Sequence, residues 1–163
     1  MIDKTNIENT IKDLDTKYNN KSSTNNEILL FSKLAVMEFC GWIEQSFDQI
    51  LTAYLNNKTI GNKHIDYANT IINNVHGFGY DTVRNLFLNI LGIKNIETIE
   101  NSIDSDLVQL KTKLNDWLKK RNSAAHTYVS GTQQNYPAPS EVLNNLSILF
   151  PIMQKLETEV NRL

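Results

Sequence analysis

The residue types best suited to chemistry lie together just after position 120. Arg121 is followed directly by Asn122 and, five positions after the arginine, by His126. Arginine keeps its charge at any accessible pH and can donate paired hydrogen bonds to phosphate oxygens. Histidine is the side chain that most readily accepts and releases protons near neutral pH. Together these two residue types can break a phosphodiester bond without a metal ion.

Chance alone rarely produces this spacing in a sequence of this composition. The chain has three arginines, three histidines and 22 asparagines among its 163 residues. An arginine followed by asparagine, with histidine at the fifth position, is expected by chance in below about 1% of such sequences. Arg84-Asn85 serves as an internal comparison, because Asn89 occupies the position of the histidine there. Only the segment at Arg121 is therefore a candidate site.

The overall charge excludes the proteins that coat nucleic acid through bulk electrostatics. The net charge is −2 and the isoelectric point is near 5.9, whereas such proteins are strongly basic. Any contact with RNA would therefore have to come from a local cluster of positively charged residues. Lys119 and Lys120 are candidates for substrate binding, with the alternative that they are solvated lysines near a helix C-terminus. The local patch contains one acid, Asp116, and the cations Lys111, Lys113, Lys119, Lys120 and Arg121.

Length and hydrophobicity predict a single globular domain over residues 1–163. No apolar run approaches the roughly 18 residues that a membrane-spanning helix needs. The first 21 residues lack the basic start and apolar block of a secretory signal, and the lone Cys40 lies among apolar residues. These features predict a protein of the reducing cytoplasm without a membrane segment.

Apolar residues recur at steps of three and four, which predicts an all-α fold. The pattern predicts an up-and-down bundle of about five to six helices, with Gly41 admitting a close helix neighbour and Asp81 capping the fourth helix. Pro151 is expected to kink the last helix or divide it in two. The predicted helices cover residues 7–18, 30–55, 65–75, 83–91, 103–121 and 140–160.

The fifth predicted helix positions the candidate site. Its apolar residues form a seam that ends at Trp117, and the next step of four reaches Arg121. On an ideal helix, however, Arg121 and His126 lie about 140° apart. Either the helix bends or ends near Ser123, or the arginine side chain swings round, or each residue meets its counterpart on a partner chain.

An all-helical chain with this motif resembles the HEPN superfamily, whose signature is an arginine, four to six intervening residues and a histidine. Arg121 and His126 match it with four residues between them, and Asn122 stands where the family often has a polar residue. Tyr128 extends the match to His-x-Tyr, the form found in HEPN toxins whose nucleotidyltransferase antitoxins attach AMP to the tyrosine. The resemblance covers the helical layout loosely and the motif specifically.

The resemblance implies a metal-independent endoribonuclease with no cofactor. Arg121 would hold the scissile phosphate, and His126 would act as general acid or base on the 2′-hydroxyl or the leaving oxygen. The products would be a 2′,3′-cyclic phosphate and a 5′-hydroxyl. Because transesterification needs both a base and an acid, and each chain supplies one histidine at the motif, we expect a homodimer with a shared cleft. The expected setting is a toxin or antiviral defence module with an antitoxin or defence-system partner protein.

The other residues of the candidate site keep alternative roles. Asn122 either orients the histidine or hydrogen-bonds the backbone. Tyr128 contacts substrate, is modified by a partner, or packs as an ordinary aromatic residue. Glu44 is a candidate acid for the arginine, because HEPN proteins often place an acid there, and Glu38 competes for that role. The second function class is a HEPN domain that binds RNA, a nucleotide or a protein without cleaving.

Overall fold

The computed structural model describes residues 1–58, 61–127 and 135–163. Over these ranges the chain is helical and contains no strand, which confirms the predicted all-α bundle. The described residues form seven helices, where the sequence predicts five to six. The helices are α1 (Thr5–Tyr18), α2 (Asn25–Asn56), α3 (Asn62–Asn74), α4 (Tyr80–Leu91), α5 (Ile93–Ser102), α6 (Asp104–His126) and α7 (Pro139–Asn161).

Helix α2 is the centre of the bundle and begins at Asn25, five residues before the predicted start. Thr24 Oγ1 accepts a hydrogen bond from the Glu27 N–H at 3.3 Å, and the Glu27 carboxylate accepts one from the Thr24 N–H at 2.8 Å. This reciprocal cap satisfies two backbone donors that the first turn leaves unpaired. The helix packs against α1, α3, α4, α6 and α7, so most of its circumference is buried.

Helix α5 is the helix that the sequence pattern missed. Gly92, with a φ of 83°, is the C-cap of α4 and also the N-cap of α5, so α5 occupies the interval between the predicted helices 83–91 and 103–121. Only Ile96 and Ile99 are buried in α5, and two apolar contacts make a weak periodic signal. A short amphipathic helix is therefore hard to distinguish from a polar connection.

The start of α4 corrects a further prediction, and the continuity of α7 excludes one of the two alternatives for Pro151. Asp81 does not cap α4, because the helix begins at Tyr80 without a side-chain cap from its own N-cap residue. Instead, Asn115 of α6 accepts a hydrogen bond from the Tyr80 N–H at 3.1 Å. Pro151 lies inside α7 but does not divide it. Its side chain is exposed, so solvent can satisfy the carbonyl group that proline leaves unpaired.

The buried apolar residues form one core cluster that draws on all seven helices. Trp117, Phe39, Phe47 and Phe78 are its largest fully buried side chains. The opposite faces of the helices are mostly polar and exposed. Within the ranges that the structure describes, no helix combines the length and the hydrophobicity needed to cross a bilayer.

Helices α2 and α6 run antiparallel, which positions the candidate site. Lys33 of α2 contacts Thr127 at the C-terminal end of α6, whereas Cys40 contacts Trp117 two to three turns earlier on that helix. The end of α6 therefore lies beside the N-terminal half of α2.

Gly41 does not have the close neighbour that the sequence predicts, because a Cβ built at this position meets nothing within 4 Å. Since glycine disfavours a helix by about 1 kcal/mol relative to alanine, we expect Gly41→Ala to raise the free energy of unfolding by up to about 1 kcal/mol. Gly92→Ala makes the same substitution at a glycine where the opposite effect is expected. The φ of 83° at Gly92 strains any other residue, so this second variant should be less stable than the wild type in urea unfolding.

Candidate functional site at the end of α6

Arg121 lies on the face of α6 that packs against α2. Trp117 and Ala124, one turn to either side, are both buried, and Arg121 itself is half-buried. Burial raises the pKa of the Cys40 thiol to about 12, while the positive charge of Arg121 opposes that shift and the negative charge of Glu44 adds to it. The guanidinium therefore lies within electrostatic range of the middle of α2.

His126 lies on a different stripe of α6. It is exposed, as are Asn122 one turn earlier and Lys119 two turns earlier. Residues at these spacings share one face of a helix. Lys119, Asn122 and His126 therefore form a solvent-facing polar stripe, and Arg121 lies beside this stripe on the α2 side.

Asn122 links the arginine to the stripe. Arg121 Nη1 donates a hydrogen bond to Asn122 Oδ1 at 3.3 Å. The helix does not end near Ser123, as one alternative required, but continues through His126. Of the three alternatives for the angular separation, this bond favours the swing of the arginine side chain. The amide of Asn122 holds the guanidinium towards the face that carries His126.

Lys33 of α2 contacts the last turn of α6, although the sequence pattern does not identify this lysine as a candidate residue. Lys33 Nζ donates a hydrogen bond to the Thr127 carbonyl at 2.9 Å. Thr127 Oγ1 donates a hydrogen bond to the carbonyl of Ser123, one turn earlier in the same helix. A cation at this position also complements the negative end of the helix dipole. No local pattern could reveal this contact, because 94 residues separate the partners.

The two candidate substrate-binding lysines have different surroundings. Lys120 forms an ion pair with Glu141 of α7 at 2.9 Å, and its ammonium lies 4.5 Å from the centre of the Trp117 ring. Lys119 is exposed on the polar stripe and forms no ion pair with a described residue. Lys119 is therefore better placed than Lys120 to meet a phosphate. Tyr128 lies outside the described residues.

Glu44 is not paired with Arg121. Its carboxylate accepts a hydrogen bond from the Gly77 N–H in the connection between α3 and α4. Within the described part of the chain, Arg121 forms no ion pair with any carboxylate. Glu38, the competing acid, is exposed and lines a groove between α1 and α2. Towards the described residues, the guanidinium therefore uses a donor only in the hydrogen bond to Asn122.

The described residues contain no group of three or more His, Cys, Asp or Glu side chains placed to hold a metal ion. The other two histidines, His64 in α3 and His76 before α4, are exposed. Both lie on elements other than α6, so they make useful controls for His126.

Comparison with known protein families identifies the family of this chain. The family model of RiboL-PSP-HEPN matches residues 2–162, almost the whole chain. The chain belongs to the RiboL-PSP-HEPN family. The HEPN membership predicted from Arg121 and His126 is thereby confirmed. No curated protein and no solved structure matches this HEPN chain.

The contact of Lys33 with the end of α6 makes a testable prediction for this HEPN domain. Lys33→Met removes the donor and the charge but keeps the length of the side chain. We expect a loss of about 1 kcal/mol in local stability of the last turn, measured as faster hydrogen exchange of the backbone amides near His126. Lys63→Met changes an exposed lysine of α3 and should leave that exchange unchanged. Equal exchange rates in both variants would show that the hydrogen bond between Lys33 and Thr127 does not stabilise the last turn of α6.

Proposed function

We propose that this HEPN protein is a metal-independent endoribonuclease that cleaves RNA by attack of the ribose 2′-hydroxyl on the adjacent phosphate. The observation that carries the proposal is the guanidinium of Arg121, which forms no ion pair with a described residue and donates a hydrogen bond to Asn122, on the same helix as the exposed imidazole of His126. Family membership supports a HEPN-type role. The chemistry of Arg121, Asn122 and His126 indicates the reaction that we propose for that role.

In the proposed reaction, Arg121 donates hydrogen bonds to the non-bridging oxygens of the scissile phosphate. These bonds strengthen as negative charge develops on the oxygens in the transition state. One histidine takes the proton of the 2′-hydroxyl, whose oxygen forms a bond to phosphorus. The bond from phosphorus to the 5′-oxygen breaks, and a second histidine gives that oxygen a proton. The products are a 2′,3′-cyclic phosphate and a 5′-hydroxyl.

A homodimer supplies the second histidine. Each chain carries one histidine at the site, and His64 and His76 lie on other elements. A two-fold axis near the end of α6 would bring two copies of His126 to one cleft, and two-fold dimers are the commonest symmetric oligomers. Lys119 of each copy would bind the flanking phosphates. The biological setting that we propose is a cytoplasmic toxin or antiviral effector controlled by a partner protein.

Cleavage of RNA in the presence of EDTA tests the proposal. The wild type should release fragments with 2′,3′-cyclic phosphate ends, and Arg121→Ala should lower the rate by about 100-fold to 1,000-fold, the effect of losing one transition-state donor. Arg162→Ala changes an exposed arginine at the end of α7 and should leave the rate unchanged. Cleavage that needs a divalent metal, or equal rates in both variants, would refute the assignment.

One observation favours a second candidate function. On the continuous helix α6, Arg121 and His126 start from positions about 140° apart, so the helix of one chain does not by itself point the phosphate-binding guanidinium and the imidazole in the same direction. A HEPN domain of this kind could bind RNA, a nucleotide or a protein partner without cleaving it. Tight binding of labelled RNA by anisotropy, with no cleavage after prolonged incubation, would support this second function.

A further inference from the structure

The lysines of α6 divide into two groups with different partners. On the side of α7, Lys113 donates a hydrogen bond to Asn145 at 2.7 Å, and Lys120 forms its ion pair with the same helix. Lys111 and Lys119 are exposed, and neither forms an ion pair with a described residue. The positive charge on the α7 side of α6 is therefore engaged within the protein, whereas the charges of Lys111 and Lys119 face solvent.

Lys111 extends the polar stripe that carries the candidate site. Asn115 lies four residues after Lys111 and four before Lys119, and residues four apart are neighbours on a helix surface. Along the helix axis, Lys111 lies about 12 Å from Lys119, and Lys119 lies about 10 Å from His126. We call the row of Lys111, Asn115, Lys119, Asn122 and His126 the α6 track.

Helix α4 and the connection before it hold the first part of the α6 track in place. Asn115 Oδ1 accepts the hydrogen bond from the Tyr80 N–H, and its Nδ2 donates to no described residue. The ammonium of Lys111 lies 5.3 Å from the centre of the Tyr80 ring. Gly79 lies so close to α6 that a Cβ built on it comes within 2.9 Å of Leu118 Cδ2. Two donors of the track are therefore positioned by packing against α4.

The α6 track contains no carboxylate, and its boundaries are acidic or apolar. Asp116 lies one turn before Lys120, on the side of α6 towards α7, and forms no ion pair with a described residue. Beyond Lys111 the same face continues with Val108, which is 76% exposed, and then with the exposed Asp104. An apolar side chain and a carboxylate both disfavour a phosphate, so the track ends at Lys111.

Resting on the proposed ribonuclease function, we propose that the α6 track binds the backbone of single-stranded RNA on one side of the scissile phosphate. Arg121 holds the phosphate at which the strand is cut. Lys119 and Lys111 bind two phosphates further along the strand, and the amide of Asn115 donates to the backbone between them. From His126 to Lys111 the track is about 22 Å long, so it contacts several nucleotides.

The arrangement of the cations favours an unpaired strand over a duplex. The major groove of an RNA duplex is deep and narrow, and proteins recognise duplex RNA by contacts that span its wide minor groove. The track is a single row along one helix, and the neighbouring Lys113 and Lys120 are engaged with α7. A single strand can follow one row of positive charge with its backbone. The preferred substrate is therefore RNA that is not base-paired next to the cut.

Fluorescence anisotropy with a labelled uridine strand of about 12 nucleotides tests the track. The protein carries His126→Ala, so that it binds RNA without cutting it. Adding Lys111→Gln should reduce the slope of log K against log salt concentration by about 0.7, the value for one phosphate contact on a single strand. Lys113→Gln is the matched control, because it makes the same change on the same helix where the ammonium contacts Asn145, and it should leave the slope unchanged.

The outcomes separate the track from the reaction. A smaller slope for Lys111→Gln alone would support the track. Equal slopes for Lys111→Gln and Lys113→Gln would overturn it, as would tighter binding of an RNA duplex of the same length or no binding of the strand. If the wild type cleaves RNA while Lys111→Gln leaves the slope unchanged, the ribonuclease function stands without the track. If Lys111→Gln alone reduces the slope and the wild type cleaves no RNA, the track stands as a binding surface and the ribonuclease function fails.

Discussion

The substitution His126→Ala is expected to lower the rate of RNA cleavage by about 100-fold to 10,000-fold, the usual contribution of a general acid or base. The imidazole is exposed at the end of α6, so its removal leaves no cavity and the fold should be retained. The measurement is the single-turnover rate on a short RNA of defined sequence, with circular dichroism as the test of folding. His64→Ala and His76→Ala remove exposed histidines from other elements and should cleave at the wild-type rate.

Mixing His126→Ala with wild-type chains distinguishes a cleft shared by two chains from two sites that act independently. If one reaction needs both histidines of a dimer, the rate should follow the fraction of dimers with two wild-type chains. With equal amounts of the two chains after random exchange, this fraction is about one quarter. Independent sites would give about one half of the wild-type rate, because each chain would act alone. A rate near one half would therefore contradict the requirement for two histidines.

The sequence predicts the fold class and offers a candidate site, but it does not predict how the helices around that site are arranged. Arg121 and His126 could be identified because both residue types are rare in this chain, so their spacing carries information. The all-α fold was equally accessible, since apolar steps of three and four persist over α2 and α6. Element boundaries near glycine were less accessible: Gly92 is the cap residue between two helices, and only backbone geometry shows that α5 follows it directly.

Contacts between distant parts of the chain explain what the sequence could not reveal. Glu44 has the right chemistry to pair with Arg121, but its carboxylate binds the Gly77 N–H, and that preference depends on where the connection before α4 lies. Lys33 reaches Thr127 only because α2 and α6 run antiparallel. Leu30 and Leu34 have the hydrophobicity of core residues, and their exposure is visible only once the neighbours of α2 are known. Each of these is a property of packing between helices, on which local patterns carry no information.

Trp117→Ala is expected to lower the free energy of unfolding by about 3–5 kcal/mol, the range for removing a large aromatic residue from a core. Trp117 is 1% exposed, and its ring meets that of Phe39 edge to face at 4.8 Å. The ammonium of Lys120 lies over the Trp117 ring, 4.5 Å from its centre. The cavity left by the indole would lie where α6 packs against α2, so the contact between these two helices should weaken most.

Loss of this packing should also disturb the site, because Arg121 lies one turn after Trp117 on the same face of α6. We expect urea unfolding of Trp117→Ala, followed by circular dichroism, to show a midpoint well below that of the wild type. Val108→Ala on the solvent side of α6 should change the free energy of unfolding by less than about 0.5 kcal/mol. If the two variants unfold at the same urea concentration, the core does not hold α6 through Trp117. Trp117→Phe restores an edge-to-face aromatic pair with Phe39 and should recover part of the lost stability, as well as RNA cleavage at temperatures where the alanine variant unfolds.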